Sequence, residues 1–169
     1  AGVMVTSDKC YKNKEDLQGY TEDDELGGHD PYSASKSCAE LAIESHRKSF
    51  LKKEGIMVAS ARAGNVVGGG DWGQDRLIPD IIHAYEANKE VILRNPDAVR
   101  PWQFVLEPLY GYLLLGKGLY ENQAVDEAWN FGPDDNLVLS VKDVVSEITK
   151  NLNFNKVVHG ASPKNPEKH

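Results

Sequence analysis

Cysteine is scarce in this chain, and long hydrophobic runs are absent. Only two of the 169 residues are cysteines, so the sequence encodes no disulfide scaffold, and a reducing compartment, the cytoplasm, is predicted. No apolar run approaches the roughly 18 residues of a membrane-spanning helix. No secretory signal peptide is recognisable either. We therefore expect a globular protein without a membrane partner.

Arginine is also scarce, and its distribution is uneven. The formal net charge of −7 argues against a nucleic-acid partner. Four of the five arginines lie between residues 62 and 100, and a guanidinium group offers a planar fork that suits phosphate. A phosphorylated small molecule is therefore one candidate ligand, and scattered surface arginines are the alternative.

Segments typical of strands alternate with helical patterns along the chain. Strands are predicted at residues 3–5, 56–62 and 128–131, with shorter ones at 91–94 and 103–106. Helices are predicted from residue 31 onward and at 77–87, 107–120 and 141–152, the last with Ser140 as its N-cap. Residues 12–30 and 64–75 are expected to be loops. This alternation indicates the α/β class.

The first predicted helix carries a tyrosine and a lysine four residues apart, Tyr32 and Lys36, and Ser7 follows the first predicted strand. On a helix both side chains leave the same face. An ammonium group favours a neighbouring phenolate, and a serine hydroxyl can orient a substrate alcohol towards it. Such a trio can deprotonate an alcohol while a hydride leaves its carbon for a nicotinamide. A solvated helix face is the alternative, since this spacing is common in helices.

A glycine-rich segment at residues 68–73 formally matches the dinucleotide-binding fingerprint. That fingerprint ends a strand and opens a helix, whose N-terminus holds the pyrophosphate. Here Asp71 would set a negative charge against the pyrophosphate, and the next predicted helix begins several residues later. We interpret the segment as a loop that folds over a substrate.

Six segments together carry a resemblance to a known family. They are TSDKCY at 6–11, DPYSASK at 30–36, ARAGNVVGGGDW at 61–72, DRLIPD at 75–80, RPWQFVLEPL at 100–109 and AWNFGP at 128–133. In these segments the chain resembles the CDP-glucose 4,6-dehydratases, which belong to the extended short-chain dehydrogenase/reductase family of nucleotide-sugar enzymes. The resemblance extends from about residue 3 to residue 152.

The resemblance implies a fold and a division into two parts. We expect the C-terminal half of a Rossmann-like parallel sheet, with the catalytic motifs, in residues 1–71. A smaller α/β domain that binds the CDP-sugar substrate is expected mainly in residues 72–169. The half of the family's proteins that carries the NAD fingerprint has no counterpart here, so the chain is predicted to be a fragment. A homo-oligomer is expected for the full-length protein.

The resemblance also implies a reaction, the NAD-dependent loss of water across C5 and C6 of the glucosyl unit. Tyr32 would take the proton of the C4 hydroxyl, Lys36 would favour the Tyr32 phenolate and hold the cofactor ribose, and Ser7 would hydrogen-bond the C4 oxygen. Asp8 would be the acid for the departing C6 hydroxyl. Lys9 would be the base at C5, or would bind a substrate oxygen while another group takes the proton.

Binding residues follow from the same resemblance. The cofactor would contact Thr6, Tyr32, Lys36, Ala63 and Gly64. The sugar nucleotide would contact Asn65, Arg76, Leu77, Arg94, Arg100 and Asn130. No metal is predicted. The alternatives are another nucleotide-sugar epimerase or decarboxylase of the same family, and a sugar-nucleotide-binding module without catalysis.

Overall fold

A computed structural model of the chain describes residues 1–14, 19–134 and 139–159. Predictions that fall on residues 15–18 and 160–169, part of the first predicted loop and of the polar tail, lie outside the described residues. The strands are β1 (Gly2–Val5), β2 (Val58–Ala63), β3 (Val66–Val67), β4 (Val91–Leu93), β5 (Val99–Arg100), β6 (Gln103–Phe104), β7 (Ala128–Phe131), β8 (Leu139–Ser140) and β9 (Val157–His159). The helices are α1 (Pro31–Ser49), α2 (Leu77–Glu86), α3 (Leu106–Tyr120) and α4 (Val141–Asn151).

The largest sheet is parallel and has the order β1-β2-β7. Val3 of β1 is aligned with Ala59 of β2, and Ala61 of β2 with Trp129 of β7. In the described part of the chain β1 has β2 as its one neighbour, so its outer edge is unpaired. Because the strands are parallel, the segments that follow β1 and β2 emerge at the same edge of the sheet.

Two helices cover opposite faces of this sheet. Ala59 and Ala61 of β2 pack against Leu115 and Leu119 of α3. The intervening Ser60 points the other way and contacts α1, since successive strand side chains alternate between faces. The central strand is therefore buried on both sides, which confirms the predicted α/β class and its parallel sheet.

The start of α1 is fixed by its own sequence. Asp30 is the N-cap, and one of its carboxylate oxygens accepts hydrogen bonds from the backbone amides of Tyr32 and Ser33 at 2.9 and 3.0 Å. Pro31 occupies the first helical position, where its missing N–H costs nothing. The first turn, which carries Tyr32, is therefore well determined.

A second core joins the elements around β4. Ile81 of α2, Val91 and Leu93 of β4, Val145 of α4 and Phe154 pack together. The predicted N-cap of α4 is confirmed, because Ser140 and Asp143 form a reciprocal capping box. Between β4 and α4 the chain returns to the large sheet, where it forms β7. Because β7 lies beyond residue 71, the predicted domain boundary at that residue stays a prediction.

The predicted elements are confirmed in kind, and four short strands were missed. The predicted 64–75 loop contains β3, which pairs with β6. The short strands β5 and β8 pair with each other, and β9 pairs with β4. Segments of two or three residues have no measurable periodicity, so only their partners define them.

Among the helices described, none combines the length and apolar character that crossing a membrane requires.

Candidate active site

An open cleft of about 650 Å³ lies where β1 and β2 end. Ser7, Asp8 and Lys9 reach it from the end of β1, and Tyr32 reaches it from the first turn of α1. The opposite wall comes from the segment after β2 and from the start of α2. It consists of residues 64–72, Asp75, Arg76, Leu77, Ile78, Pro79, Ile82 and Trp102. The cleft therefore brings four of the five predicted catalytic residues together with three predicted substrate contacts, Asn65, Arg76 and Leu77.

The corner after β1 is a tight 3₁₀ turn over Asp8–Cys10. Ser7 caps this turn, because its hydroxyl oxygen accepts a hydrogen bond from the backbone amide of Lys9 at 3.2 Å. The same hydroxyl donates to the Asp8 carboxylate at 3.1 Å. Ser7 is thus held in place by its neighbours and still lines the cleft.

Asp8 is the most perturbed acid in the cleft. Burial raises the pKa of its carboxyl above the ordinary value, against the opposing effects of Lys9, the Ser7 hydroxyl and Arg100. A Cβ at Gly64 would lie 3.2 Å from the Asp8 carboxylate and 2.5 Å from Pro101. Only glycine therefore fits between Asp8 and the segment after β5. A carboxyl with a raised pKa keeps its proton at higher pH and is suited to act as an acid.

Tyr32 and Lys36 form a pair on α1. The Lys36 ammonium lies 5.6 Å from the centre of the Tyr32 ring, one helical turn away. The Tyr32 side chain is 56% exposed and so is open to a ligand. The phenol and the ammonium therefore lie side by side at the start of α1.

The predicted substrate arginines are placed differently from one another. Arg76 lines the cleft and donates to Asp71 at 3.1 Å. Arg94 lies outside the lining, with its guanidinium 3.7 Å from the Asp75 carboxylate. Arg100 donates to the backbone oxygen of Val99 and is close enough to Asp8 to oppose the rise in its pKa.

Two predicted contacts, Thr6 and Asn130, point into the protein rather than into the cleft. The Thr6 hydroxyl donates to the buried carboxylate of Glu40. The Asn130 amide oxygen accepts from the Tyr11 hydroxyl at 2.6 Å, and its amide nitrogen donates to the backbone oxygen of Tyr20 at 2.9 Å. Ala63, the last residue of β2, is aligned with Phe131 of β7. In this structure the Thr6 and Asn130 side chains serve internal contacts.

A buried ion pair that was not predicted from the sequence joins Glu40 of α1 to Arg62 of β2, with 2.7 Å between their charged groups. The available signal was the pattern Ser33, Ser37 and Glu40. These polar residues recur at helical spacing, and all three are buried. On the same helix the apolar side chains of Leu41 and Phe50 are exposed.

Comparison with known proteins gives the family. Residues 2–126 match the NAD dependent epimerase/dehydratase family. The chain belongs to this family. It is 51% identical over 154 residues to the CDP-glucose 4,6-dehydratase of Salmonella typhimurium. The matched region covers 88% of this chain and 43% of that protein.

Solved structures show the same fold. The dTDP-glucose 4,6-dehydratase of Streptomyces venezuelae, solved with NAD bound, superposes with a TM-score of 0.78 at 23% identity over 96% of this chain and 48% of that one. The UDP-glucose 4-epimerase of Thermotoga maritima gives 0.78 at 16% identity over 96% and 50%. The chain spans about half the length of these relatives.

The family is NAD-dependent, and the residues of the cleft fit one end of that cofactor. The open Tyr32 phenol, the Lys36 ammonium and the Ser7 hydroxyl provide the groups that a nicotinamide and its ribose need beside a substrate alcohol. The glycine-rich segment does not fit the pyrophosphate, because it follows β3 and enters α2 only at Leu77. The described residues therefore match the reacting end of NAD and not its phosphates.

Proposed function

We propose that this chain is the catalytic and sugar-nucleotide-binding portion of an NAD-dependent CDP-glucose 4,6-dehydratase. The observation that carries the proposal is the shared cleft, which joins Ser7, Asp8, Lys9 and Tyr32 to the Arg76 side. The 51% identity to the Salmonella typhimurium dehydratase favours CDP-glucose as the substrate. The product is CDP-4-keto-6-deoxyglucose.

The first step is oxidation at C4 of the glucosyl unit. The Ser7 hydroxyl orients the C4 oxygen, and the Tyr32 phenolate takes its proton while Lys36 balances the charge. Bound NAD supplies the hydride acceptor for this step and the hydride donor for the last one. Tyr32 is exposed enough to reach the substrate, and its helix turn is held by the Asp30 cap.

The second step is loss of water across C5 and C6. The 4-ketone acidifies the hydrogen on C5, and Lys9 removes it when its amine is neutral. Asp8 gives its proton to the departing C6 hydroxyl, which fits a carboxyl whose pKa is raised by burial. Asp8 and Lys9 are adjacent in one fixed turn, so acid and base act on neighbouring carbons.

The remainder of the enzyme docks, in this proposal, on the unpaired edge of β1. Helices on both sides of that edge expose apolar residues. They are Leu41 and Phe50 on α1, and Leu106, Leu109, Tyr110, Leu113 and Leu114 on α3. A parallel strand against β1, flanked by further helices, covers such a surface and supplies the pyrophosphate site that the described residues lack.

The assembled enzyme is proposed to be a homo-oligomer of the cytoplasm that serves deoxysugar and lipopolysaccharide biosynthesis. Cys10 is buried and Cys38 exposed, and both are free thiols. Free thiols suit a reducing compartment.

The test supplies CDP-glucose and NAD to the chain, alone and with a polypeptide that provides a dinucleotide-binding half. The expected result is a 4-keto product, detected by its absorbance in alkali, that has lost one water by mass spectrometry. An epimerised sugar nucleotide of unchanged mass would replace the proposal with an epimerase. Binding of CDP-glucose without turnover by the assembled protein would replace it with a binding module.

A further inference from the structure

The carboxylate of Glu40 is buried and has no role in the proposed reaction steps. Its side chain is 2% exposed, in the middle of α1. It receives three hydrogen bonds, from the Arg62 guanidinium at 2.7 Å, from the Ser60 hydroxyl at 2.8 Å and from the Thr6 hydroxyl. Two of these donors belong to β2 and the third is Thr6, which directly follows β1, so one carboxylate joins a helix to two neighbouring strand segments.

Two of the joined segments lead directly to residues of the cleft. Thr6 directly precedes Ser7, and its backbone amide also donates to Ala61 of β2 at 2.9 Å. Glu40 lies one turn beyond Lys36 and two turns beyond Tyr32 on α1. Ser7 and Tyr32 therefore sit on different elements whose separation Glu40 can set.

The ion pair also continues into the loop before α1. Arg62 donates to the Tyr11 hydroxyl at 2.7 Å and to the backbone oxygen of Glu22 at 3.1 Å. Its guanidinium lies 5.1 Å from the centre of the Tyr11 ring. The far side of the Asp8–Cys10 turn is thus attached to the same charged pair.

The Glu40 charge is well compensated. Burial alone would raise its pKa, yet the hydrogen bonds from Arg62, Thr6 and Ser60 hold the pKa of this carboxyl below its ordinary value. A buried carboxylate that accepts three hydrogen bonds resists displacement, because a shift leaves one of its partners unpaired in the interior.

We infer that Glu40 is a positioning residue, which holds the helix of Tyr32 and Lys36 at the correct distance from the Ser7–Asp8 corner through Thr6, Ser60 and Arg62. It does not line the catalytic cleft and takes no part in proton transfer. This inference rests on the proposed function. A displacement of about 1 Å between reacting groups lowers an enzymatic rate about a hundredfold.

The test compares Glu40→Gln with Glu44→Gln in the assembled enzyme. Glu44 is the matched control, since it lies one turn further along α1 and pairs with Lys48. The Glu44 side chain is 45% exposed, so this pair lies at the surface. Glu40→Gln is expected to lower kcat by about 10- to 100-fold while KM for CDP-glucose changes little. Glu40→Asp keeps the charge but is shorter, so its kcat should lie between that of Glu40→Gln and the unaltered enzyme. Equal kcat for Glu40→Gln and Glu44→Gln, or a loss carried by KM, would overturn the inference.

A double-mutant cycle with Ser7→Ala separates positioning from general loss of stability. If Glu40 acts by aligning Ser7 with Tyr32, its replacement costs much less once Ser7 is gone. Independent, additive effects of the two changes would contradict the inference.

Hydrogen exchange provides a readout that does not depend on turnover. The amides of Lys9 and Cys10 are bonded to Ser7, so their exchange reports on the corner after β1. In Glu40→Gln these amides and those of the first turn of α1 should exchange faster together, and in Glu44→Gln they should not. Unchanged exchange overturns the inference, whereas changed exchange in a protein without dehydratase activity refutes the proposed function alone.

Discussion

At the scale of single residues, the cleft combines an exposed phenol with a half-buried carboxyl group. Tyr32 is exposed, and the Lys36 ammonium lies 5.6 Å from the centre of its ring. Asp8 sits against Gly64 and Pro101, where burial favours the neutral carboxyl. Two acid–base groups with opposite surroundings suit a reaction that needs one proton removed and another delivered.

Replacing Tyr32 with phenylalanine tests the base. Tyr32→Phe should lower the rate of 4-keto product formation by about 10²- to 10⁴-fold, since it removes the proposed base for the C4 proton. Folding should be unaffected because the hydroxyl belongs to an exposed side chain. Tyr85→Phe is the control, as Tyr85 is a partly exposed tyrosine of α2 outside the cleft lining. Similar rates for the two variants would remove Tyr32 from the mechanism.

Replacing Asp8 with asparagine tests the acid and gives a pH-dependent effect on stability. Since the folded-state pKa of Asp8 is raised, the protonated form stabilises the fold at low pH, and this contribution is lost as pH rises through the folded pKa. Asp8→Asn should therefore melt at a higher temperature than the unaltered protein at pH 7, and the difference should shrink towards pH 4. Its dehydration rate should fall by about 100-fold or more.

The measurement is a pair of melting curves across pH together with the product assay. Asp97→Asn is the control, because Asp97 is exposed and pairs with Lys142 at the surface. A lower melting temperature for Asp8→Asn at pH 7 would show that the carboxylate is stabilising there.

At the scale of elements, the approach of α3 to the sheet depends on one glycine. A Cβ at Gly111 would lie 2.2 Å from the Phe131 ring of β7, whereas one at Gly116 would meet only Val3 at an ordinary 3.7 Å. Both glycines are inside the same helix, so the gain in helix propensity on replacement by alanine is the same for both.

The two alanine variants should therefore move the free energy of unfolding in opposite directions. Gly111→Ala should destabilise, since overpacking of about 1–3 kcal/mol exceeds the helical gain. Gly116→Ala should stabilise by about 0.5–1 kcal/mol. Denaturant unfolding followed by circular dichroism measures both, and a stabilising Gly111→Ala would show that Phe131 moves aside freely.

The predicted elements show where periodicity is informative. The four helices were predicted within a few residues because each is long enough to show its period and carries end signals, such as Asp30 and Ser140. The pairing of β3 with β6 and of β5 with β8 was not predicted, although a strand was predicted where β6 lies. Their two-residue strands are defined by partners distant in sequence.

At the scale of the whole molecule, the described residues leave one edge of the parallel sheet without a neighbouring strand. The outer edge of β1 is unpaired, and α3 presents Leu113, which is 74% exposed, beside other apolar residues. Patches of this kind mark interaction surfaces in soluble proteins. The same chain spans about half the length of its relatives.

A charge on this surface should alter association. The chain by itself is expected to self-associate, and Leu113→Lys should shift it towards the monomer in size-exclusion chromatography with light scattering, because a lysine there opposes apolar contact. The same variant should lose dehydratase activity when a dinucleotide-binding half is supplied. Ile92→Lys, at an exposed position on β4, is the control. A monomeric unaltered chain that binds no apolar dye would contradict the proposed docking surface.

The α/β class, the helices and the local motifs follow from residue types and their spacing along the chain. Tyr32 and Lys36 are paired by helical spacing, and the Ser7–Asp8–Lys9 turn is a property of consecutive residues. Such features depend on neighbours along the chain, so their residue types reveal them.

Contacts between residues far apart in sequence depend instead on how the helices and strands pack in three dimensions. The polar face of α1 is buried because Glu40 finds Arg62, Ser60 and Thr6, and the apolar Leu41 and Phe50 remain outside. Asp8 is half-buried, and only the missing side chain of Gly64 leaves room beside its carboxylate. Burial and pairing of charges depend on elements far apart in sequence, and no local pattern specifies them.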